Sequence, residues 1–237
     1  MVSPYLWDRA IDRIDLMACT HAHADHIGGL PSLLGNFHTK ELWTGANSEN
    51  PVWAEFREKI RRAGVRIEPL HRGQRFRFGD AGLEILAPSP DYMAKPAPGN
   101  NDSLVMRVTY GRHSFLLGGD MERPIESDLV AGGLVRKTDV LKVAHHGSKT
   151  SSSEPFLDLA MPTFALMSDG FENSYGHPHA EILTRLAAHG AFLQRQSGFL
   201  PGGQAAFEHI DVGHAECAQR PPDARRRKQA VAVVDDD

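Results

Sequence analysis

Short apolar runs separated by turn residues recur along most of the chain. Runs of four to eight residues rich in Val, Ile, Leu and Phe predict strands, whereas apolar residues three or four positions apart over a longer stretch predict helices. The predicted strands lie at 13–20, at 41–45, in three short pieces between 65 and 88, in a hairpin at 103–120 with its turn near Gly111, at 139–148 and at 163–169. The predicted helices lie at 29–37, 50–64, 125–133, 153–160 and 177–190.

Strands and helices therefore interleave, and hairpins occur beside crossover connections. This order predicts an α/β protein with mixed sheets flanked by helices, rather than one purely parallel sheet. Residues 1–212 are expected to form one domain, because 237 residues with 41% hydrophobic side chains can bury one sizeable core. The polar segment 213–237 contains RRRKQ and ends in DDD, which predicts a disordered tail.

The charge balance is not that of a basic nucleic-acid-binding domain, because the formal net charge is −4. Several arginines between residues 57 and 77 leave a local basic patch open, although a solvated helix face and strand surface is the simpler interpretation. No apolar run approaches the ~20 residues of a membrane span, and the N-terminus lacks the apolar segment of a signal peptide. The chain alone is therefore expected to be soluble, and cytoplasmic by default.

The segment after the first predicted strand, THAHADHIGGL, concentrates metal-binding side chains. Three histidines and an aspartate fall within six positions, and imidazole and carboxylate are common ligands of zinc, manganese and iron. Side chains two positions apart in an extended stretch point the same way, so His21 and His23 can bind one ion. Asp25 and His26, where the chain turns into a helix, face a neighbouring position. One loop can thus offer ligands to two ions.

Two further predicted strands end in candidate ligands. Asp120 follows SFLLGG, where Gly118 and Gly119 permit a close backbone approach. Its carboxylate can bridge two ions, although an aspartate there can also cap a turn. His145 and His146 follow the apolar run DVLKVA, and two histidines at the end of a buried strand favour a role in the same site.

Two other segments carry candidate metal- or substrate-binding groups. In YGHPH, His177 and His179 precede a helix, where His177 either contacts metal or substrate or caps the helix with Pro178 at its first position. Ser148 and Lys149, followed by the serines at 151–153, are rich in hydrogen-bond donors that can hold a phosphate, and Lys149 is a candidate catalytic residue. The serines can equally cap the helix that follows them.

Four motifs together resemble the metallo-β-lactamase superfamily: THAHADHIGGL, NDSLVMRVTYG with SFLLGGDME, DVLKVAHHGSKTSSS, and YGHPHAEIL. The histidine loop is specific for the superfamily. NDSLV, HHGSKTSSS and GHPH together resemble the C-terminal hydrolase domain of ComEC-type DNA-uptake proteins of competent bacteria. The resemblance runs from about residue 3 to about residue 210, and it implies an αββα sandwich of two sheets with the site at one edge.

The resemblance also implies two divalent ions, with zinc favoured and manganese as the alternative. The implied ligands, in chain order, are His21, His23, Asp25, His26, Asp120 and one of His145 and His146. The first two would hold one ion and the next two the other, while Asp120 would bridge both. His145 is favoured over His146 as the last ligand.

Two features depart from the superfamily's pattern. A histidine commonly precedes the first hairpin strand, whereas this chain reads GNNDSL and offers Asn101 or Asp102. The family also usually has two or three strands before the histidine loop, and this sequence begins about 20 residues before it. The first sheet is therefore expected to be incomplete, with strand 13–20 paired by the tail, by another copy of the chain, or by a segment encoded upstream.

These features predict a metal-dependent hydrolase in which Asp25 and Asp120 are both ligands and catalytic residues. Two ions can activate water, hold the substrate oxygen and stabilise the leaving group. The leading hypothesis is a phosphodiesterase or nuclease of DNA uptake, joined to an upstream membrane channel and then membrane-associated and extracytoplasmic. A hydrolase of a small ester, amide or phosphate is the alternative, because one fold serves many chemistries. An inactive truncated remnant is the third hypothesis.

Overall fold

The computed structural model describes residues 2–47, 49–170 and 173–199 and the strands at 205–210 and 231–233. In chain order the elements are α1 (Val2–Asp8), β1 (Arg13–Cys19), α2 (Ala24–Ile27), α3 (Leu30–Asn36), β2 (His38–Thr44), α4 (Pro51–Arg62), β3 (Arg66–Pro69), β4 (Arg75–Phe78), β5 (Ala81–Ala87), β6 (Val105–Tyr110), β7 (His113–Leu117), α5 (Arg123–Ala131), β8 (Val140–Lys142), α6 (Glu154–Ala160), β9 (Phe164–Asp169), α7 (Ala180–Ala188), β10 (Phe192–Phe199), β11 (Ala205–Ile210) and β12 (Val231–Val233). Short 3₁₀ turns lie at Asn100–Asp102 and Ala144–Gly147.

The strands form two sheets. The first has the order β12-β1-β2-β3, and its paired strands are parallel. The second has the order β11-β10-β9-β8-β7-β6-β5-β4. Its strands β4 to β7 are antiparallel neighbours, whereas β7 to β10 run parallel. The predicted mixture of hairpins and crossovers is confirmed.

Three apolar clusters define four layers. Leu16 and Trp43 of the first sheet pack against Ile85 and Met106 of the second, so one cluster lies between the sheets. A second cluster joins the first sheet to α1, α2, α3 and α4. A third joins the second sheet to α5, α6 and α7. The layers are therefore helix, sheet, sheet and helix, and the predicted αββα sandwich is confirmed.

Helix α4 shows why the basic stretch is a solvated surface. The helix begins as predicted, with the Asn50 side chain accepting a hydrogen bond from the Trp53 amide at 2.9 Å. Its buried stripe faces the first sheet, and its basic residues are paired with carboxylates. These pairs are Arg57–Glu49, Lys59–Glu55, Arg61–Glu58 and Arg62–Glu58, and Arg66 of β3 pairs with Glu41. From residue 57 to residue 66, the basic side chains therefore form an ion-paired surface of α4 and β3.

Strand β1 has a neighbour on each side. It pairs with β2 from Arg13 to Cys19, and with β12 from Leu16 to Ala18. The tail therefore supplies the predicted partner of β1. Within the segment predicted to be disordered, residues 231–233 form β12, which occupies the open backbone edge of β1. Residues 213–230 and 234–237 lie outside the described residues.

Several element boundaries differ from the prediction. Helix α7 begins at Ala180 with His179 as its N-cap residue, after a cis His177–Pro178 peptide. The prediction that His177 caps this helix with Pro178 at the first position is therefore wrong. Helix α1 was not predicted. Within the described part of the chain, no helix is both long and apolar enough to cross a bilayer.

Candidate metal centre

The candidate site lies where the chain leaves β1, β7 and β8. The segment after β1 carries His21 and His23, and α2 carries the next two predicted ligands, Asp25 and His26. Asp120 follows β7, and the 3₁₀ turn at Ala144–Gly147 follows β8. Because β7 and β8 are parallel neighbours, their carboxyl ends meet at one edge of the second sheet. The fold thus brings together groups that are far apart in sequence.

Four side chains form the centre of the site. Asp25, His26, Asp120 and His146 offer ligand atoms that all lie within 4.8 Å of one another. His26 Nε2 lies 3.2 Å from Asp120 Oδ2, and His146 Nε2 lies 3.5 Å from Asp120 Oδ1. Asp25 Oδ2 lies 3.8 Å from both imidazole nitrogens. The Asp25 side chain is 47% exposed and the other three residues are buried, so Asp25 marks the solvent side.

His21 and His23 form a second nitrogen pair beside this cluster. His21 Nε2 lies 2.8 Å from His23 Nδ1 and 3.8 Å from Asp120 Oδ2. The Pro98 carbonyl lies 3.3 Å from His23 Nε2. Because a carbonyl oxygen can only accept a hydrogen bond, Nε2 carries the proton, and Nδ1 can act as a ligand. Asp120 Oδ2 therefore faces His21 and His26, while its Oδ1 faces His146. Asp120 thus lies between the histidines that follow β1 and the histidine that follows β8.

The electrostatics of Asp120 fit a bound cation. Burial would raise the pKa of Asp120, but its hydrogen bond to His26 and the charges of His26, His146 and His21 hold that pKa well below its ordinary value. Its Oδ1 is buried and accepts no hydrogen bond from the residues that the structure describes. A buried carboxylate oxygen without a donor is costly. A cation in contact with Oδ1 would remove that cost, so the residues present fit a metal ion.

Hydroxyl groups behind the histidines set their orientation. Thr20 Oγ1 lies 3.1 Å from Nδ1 of both His21 and His26. Ser103 Oγ lies 3.3 Å from His21 Nδ1 and accepts a hydrogen bond from the Asp120 amide at 2.9 Å. With Nδ1 of each ring engaged, Nε2 of His26 lies 3.2 Å and Nε2 of His21 lies 3.8 Å from Asp120 Oδ2. Such partners commonly tune ligand basicity and orientation.

Gly119 makes the approach of Asp120 possible. Its φ is +51°, and a Cβ there would lie 2.8 Å from Ser103 Oγ and 3.0 Å from Thr20 Cβ. Real Cβ atoms do not tolerate the shorter of these distances without a shift of the neighbour. The predicted close backbone approach before Asp120 is therefore confirmed at Gly119.

The turn that carries His146 is conformationally strained. His145 and His146 have φ values of 50° and 52°, and Gly147 follows with φ +84°. Left-handed conformations at residues other than glycine cost about 1–3 kcal/mol each. His146 Nδ1 donates a hydrogen bond to the Ser168 carbonyl at 2.7 Å, which leaves Nε2 unprotonated in the neutral ring. The strained backbone and this bond together aim Nε2 at Asp120.

An open cavity of about 640 Å³ lies over the cluster. One wall is aromatic: the Tyr175 ring lies 5.8 Å from His177 at 23°, and His177 lies 6.4 Å from His146 at 9°. Tyr175 is 77% exposed, so this wall runs from the cluster to solvent. Burial, and then the charges of His145, His179 and His146, lower the pKa of His177 below its ordinary value. His179 packs against His177 with ring centroids 5.1 Å apart, behind the wall.

Comparison with known proteins identifies the family. Residues 1–168 match the family model described as the metallo-beta-lactamase superfamily. The chain belongs to the metallo-beta-lactamase superfamily. Solved members of this fold agree at the level of architecture. CmlA, a diiron beta-hydroxylase from Streptomyces venezuelae, matches with TM-score 0.53 and 10% identity over 84% of this chain and 45% of that chain. The metallo-beta-lactamase fold protein YhfI from Bacillus subtilis matches with TM-score 0.51 and 14% identity over 84% and 82%.

Curated relatives narrow the similarity within the superfamily. ComE operon protein 3 of Bacillus subtilis is 38% identical over 189 residues, which are 78% of this chain and 24% of that protein. Competence protein ComA of Neisseria gonorrhoeae is 32% identical over 196 residues, which are 82% and 26%. Recombination protein 2 of Haemophilus influenzae is 31% identical over 185 residues, which are 78% and 21%. The predicted similarity to competence proteins is confirmed, and the chain spans about a quarter of these relatives' lengths.

The structure places His146, and not the favoured His145, among the four clustered side chains. His145 Nδ1 lies 3.4 Å from Glu122 Oε1 and 3.1 Å from Thr150 Oγ1, outside the four-residue cluster. The left-handed backbone at both histidines turns their side chains apart. His145 borders the cavity instead. The sequence did not identify Glu122, because its position two residues after Asp120 shows only that it lies near the carboxyl end of β7.

The prediction of a catalytic Lys149 is not supported. Its side chain is exposed and does not border the cavity. Its carbonyl accepts a hydrogen bond from Arg123 at 3.0 Å. Ser148 is buried and its hydroxyl lies 3.1 Å from that of Thr150. The amides of Ser152 and Ser153 donate to the Glu126 carboxylate. This serine segment therefore stabilises the turn behind the site instead of facing a substrate.

Asn101 and Asp102 stabilise the loop before β6 and do not face the cluster. Asp102 is buried and accepts hydrogen bonds from the Tyr92 hydroxyl at 2.8 Å and the Gly99 amide at 2.9 Å. Asn101 Oδ1 accepts one from the Glu122 amide at 2.9 Å. The neighbouring Asn100 borders the cavity in their place. A 3₁₀ turn decides which of these consecutive residues faces the site, and the sequence carries no signal for that choice.

Proposed function

We propose that this chain is a metal-dependent phosphodiesterase that hydrolyses single-stranded DNA and uses two divalent ions. Zinc is the favoured metal. The convergence of Asp25, His26, Asp120 and His146 beneath an open cavity carries the proposal. The adjacent His21 and His23 pair supports a second ion, because its nitrogens and Asp120 Oδ2 face one another. Divalent ions held there would lower the pKa of a bound water molecule and polarise a phosphoryl oxygen of the substrate.

The residues around the cluster fit a nucleotide chain. The exposed Tyr175 ring, continued inward by His177, offers a face on which a nucleobase can stack. Asn100 Nδ2 borders the cavity and can donate a hydrogen bond to a substrate oxygen. The partly exposed Asp25 can accept a proton from a water molecule at the solvent side of the cluster.

The biological setting is part of the same proposal. Two relatives are named for competence or its operon, and a third is named a recombination protein. We place this hydrolase in DNA uptake, where it would degrade the strand that is not imported. Because the chain spans about a quarter of these relatives, a membrane channel domain in the same or a neighbouring polypeptide would deliver the DNA, on the extracytoplasmic side of the membrane.

A substrate comparison with a matched variant tests the activity. The metal-loaded chain is incubated with a labelled single-stranded oligonucleotide, its duplex, and bis(p-nitrophenyl) phosphate. We expect the single strand to be cleaved fastest. Asp120→Ala should lower turnover at least about 100-fold at saturating metal, because it removes the carboxylate shared by all the cluster histidines. Asp80→Ala, in the exposed turn between β4 and β5, is the control and should leave turnover unchanged.

The outcomes separate the three hypotheses. Cleavage of the small diester without cleavage of any oligonucleotide would favour a small-molecule hydrolase of the same fold. Bound metal with no hydrolysis of any substrate would favour an inactive domain. Unchanged turnover in Asp120→Ala would show that the cluster is not the catalytic centre.

A further inference from the structure

A second cavity lies at the opposite end of the second sheet from the metal cluster. It has a volume of about 590 Å³ and borders Arg75, Glu84, Arg107, Ser114, Arg136 and Lys137. Ser114 is at the beginning of β7 and Lys137 precedes β8, whereas the cluster follows the carboxyl ends of both strands. At about 3.3 Å per strand residue, the distance between the two sites is on the order of 20 Å. The second cavity is therefore separate from the proposed active site.

Arg107 is the unusual residue of this cavity. It is only 4% exposed, although arginine is almost never buried without a partner. Its Nη2 makes one long hydrogen bond of 3.4 Å to the Arg136 carbonyl, and its Nε is buried and has no hydrogen-bond partner in the described part of the chain. A buried charged donor without an acceptor is expensive. The Arg107 guanidinium thus lies at the wall of the cavity with its hydrogen-bonding capacity only partly used.

The cavity has more positive charge than its single carboxylate can balance. Glu84 lies opposite Arg107 in the strand register, but its carboxylate is bound by Arg75 at 2.7 Å and lies 3.8 Å from Arg136. With Lys137, four cationic side chains border the cavity against one carboxylate. Burial and the charge of Arg136 lower the pKa of Arg107, and Glu84 opposes this only in part. The nearby Asp139 is engaged by the Ser114 amide and hydroxyl.

We propose that this cavity binds a phosphate group, either free or in a nucleic acid. A phosphate group brings up to two negative charges and three strong acceptor oxygens, which match the surplus of cations and the incompletely hydrogen-bonded guanidinium of Arg107. Guanidinium groups bind phosphate with a fixed donor geometry, and Arg107 is held in one position by burial. Free phosphate and a backbone phosphate share this chemistry. In either form, the cavity would serve as a second anion site on the same hydrolase.

Arginine side-chain NMR tests the proposal at a single atom. The ¹⁵N–¹H signal of Arg107 Nε is assigned by its loss in Arg107→Met and is followed during titration with inorganic phosphate. The full chain carrying Asp120→Ala is used, so that hydrolysis and phosphate binding at the cluster do not contribute. We expect a saturable shift of the Arg107 signal. Parallel titrations with a nucleoside 5′-monophosphate and a single-stranded oligonucleotide identify the source of the phosphate.

Variants with opposite expected effects complete the design. Arg107→Met should weaken phosphate binding, measured by equilibrium dialysis, at least about tenfold, because it removes a charge-assisted donor. Arg136→Gln alters a mostly exposed side chain, so it tests the same surplus of charge without disturbing the core. Glu84→Gln should tighten binding several-fold. Arg66→Met, on the first sheet and paired with Glu41, is the control and should change nothing.

The outcomes are distinct from those of the proposed hydrolysis. A shift with inorganic phosphate supports a site for free phosphate, and a shift only with the oligonucleotide supports a backbone-phosphate site. No shift of the Arg107 signal with any of the three ligands would overturn the proposal. Equal affinity in wild-type, Arg107→Met and Arg136→Gln chains would do the same, even if the chain hydrolyses DNA as proposed.

Discussion

Replacing Thr20 with valine should weaken metal binding, although Thr20 is not itself a predicted ligand. Thr20 Oγ1 lies 3.1 Å from Nδ1 of both His21 and His26, and the residue is 1% exposed. When both rings present Nε2 to an ion, both Nδ1 atoms carry protons, and the two lone pairs of the hydroxyl can accept both. Valine has nearly the same shape but accepts neither bond, and no solvent can reach the site to replace the hydroxyl.

The size of the effect follows from these contacts. A buried donor left without an acceptor costs about 1–3 kcal/mol. The loss applies to the Thr20 contacts with both rings, and His21 keeps Ser103 Oγ at 3.3 Å. Changes to such supporting residues typically lower metal affinity by about 10–100-fold. We therefore expect Thr20→Val to weaken zinc binding within that range.

Zinc affinity is measured by competition with a chromophoric chelator, and thermal unfolding of the metal-free and metal-loaded chains is followed in parallel. Thr20→Ser is the matched control, because it keeps the hydroxyl and should retain most of the affinity. Wild-type affinity in Thr20→Val would refute the orienting role. Equal weakening in Thr20→Ser would assign the effect to the lost methyl group.

Three further predictions follow from the site and its supports. His146→Ala should weaken zinc binding at least about 100-fold and His145→Ala less than about threefold, because only the former lies in the cluster; equal losses in the same chelator assay would contradict this. Gly147→Ala should lower the free energy of unfolding by about 2–4 kcal/mol in urea, since its Cβ would lie 2.6 Å from Pro178 Cβ at φ +84°. Burial raises the pKa of Glu126, so this group stabilises the fold below its unfolded pKa of about 4.3 and loses that contribution as the pH rises through the folded pKa. In Glu126→Gln, the free energy of unfolding should fall less steeply as the pH rises through that range. The same slope in the variant and the wild-type chain would show that another group causes the decline.

Local patterns were enough to predict much of the fold. The apolar runs located β1, β2, β5, β6, β7 and β9, because a strand buried on one or both faces leaves a short-range signature. The histidine loop and Asp120 were found for a related reason: their residue types are dense, or they directly follow an apolar strand. The resemblance to the metallo-β-lactamase superfamily then supplied the layering of sheets and helices.

The features that the sequence did not predict depend on backbone angles or long-range contacts. The choice between His145 and His146 is set by two left-handed residues, which no pattern of residue types indicates. The contact between Ser103 and His21 spans 82 positions. Lys149 was chosen for its nearness in sequence, and one exposed turn removes it from the cavity. Sequence proximity thus identified segments that lie at the site, but not which member of each segment faces it.

The central claim is that the histidine–aspartate cluster binds metal, and anomalous diffraction from a zinc-loaded crystal of this chain tests it most directly. The account predicts a zinc peak about 2.0–2.2 Å from His26 Nε2, from His146 Nε2 and from a carboxylate oxygen of Asp25 or Asp120. A second peak is predicted beside His21 Nε2 and His23 Nδ1. Zinc bound only elsewhere on the molecule, or no peak within coordination distance of these side chains at saturating zinc, would contradict the account.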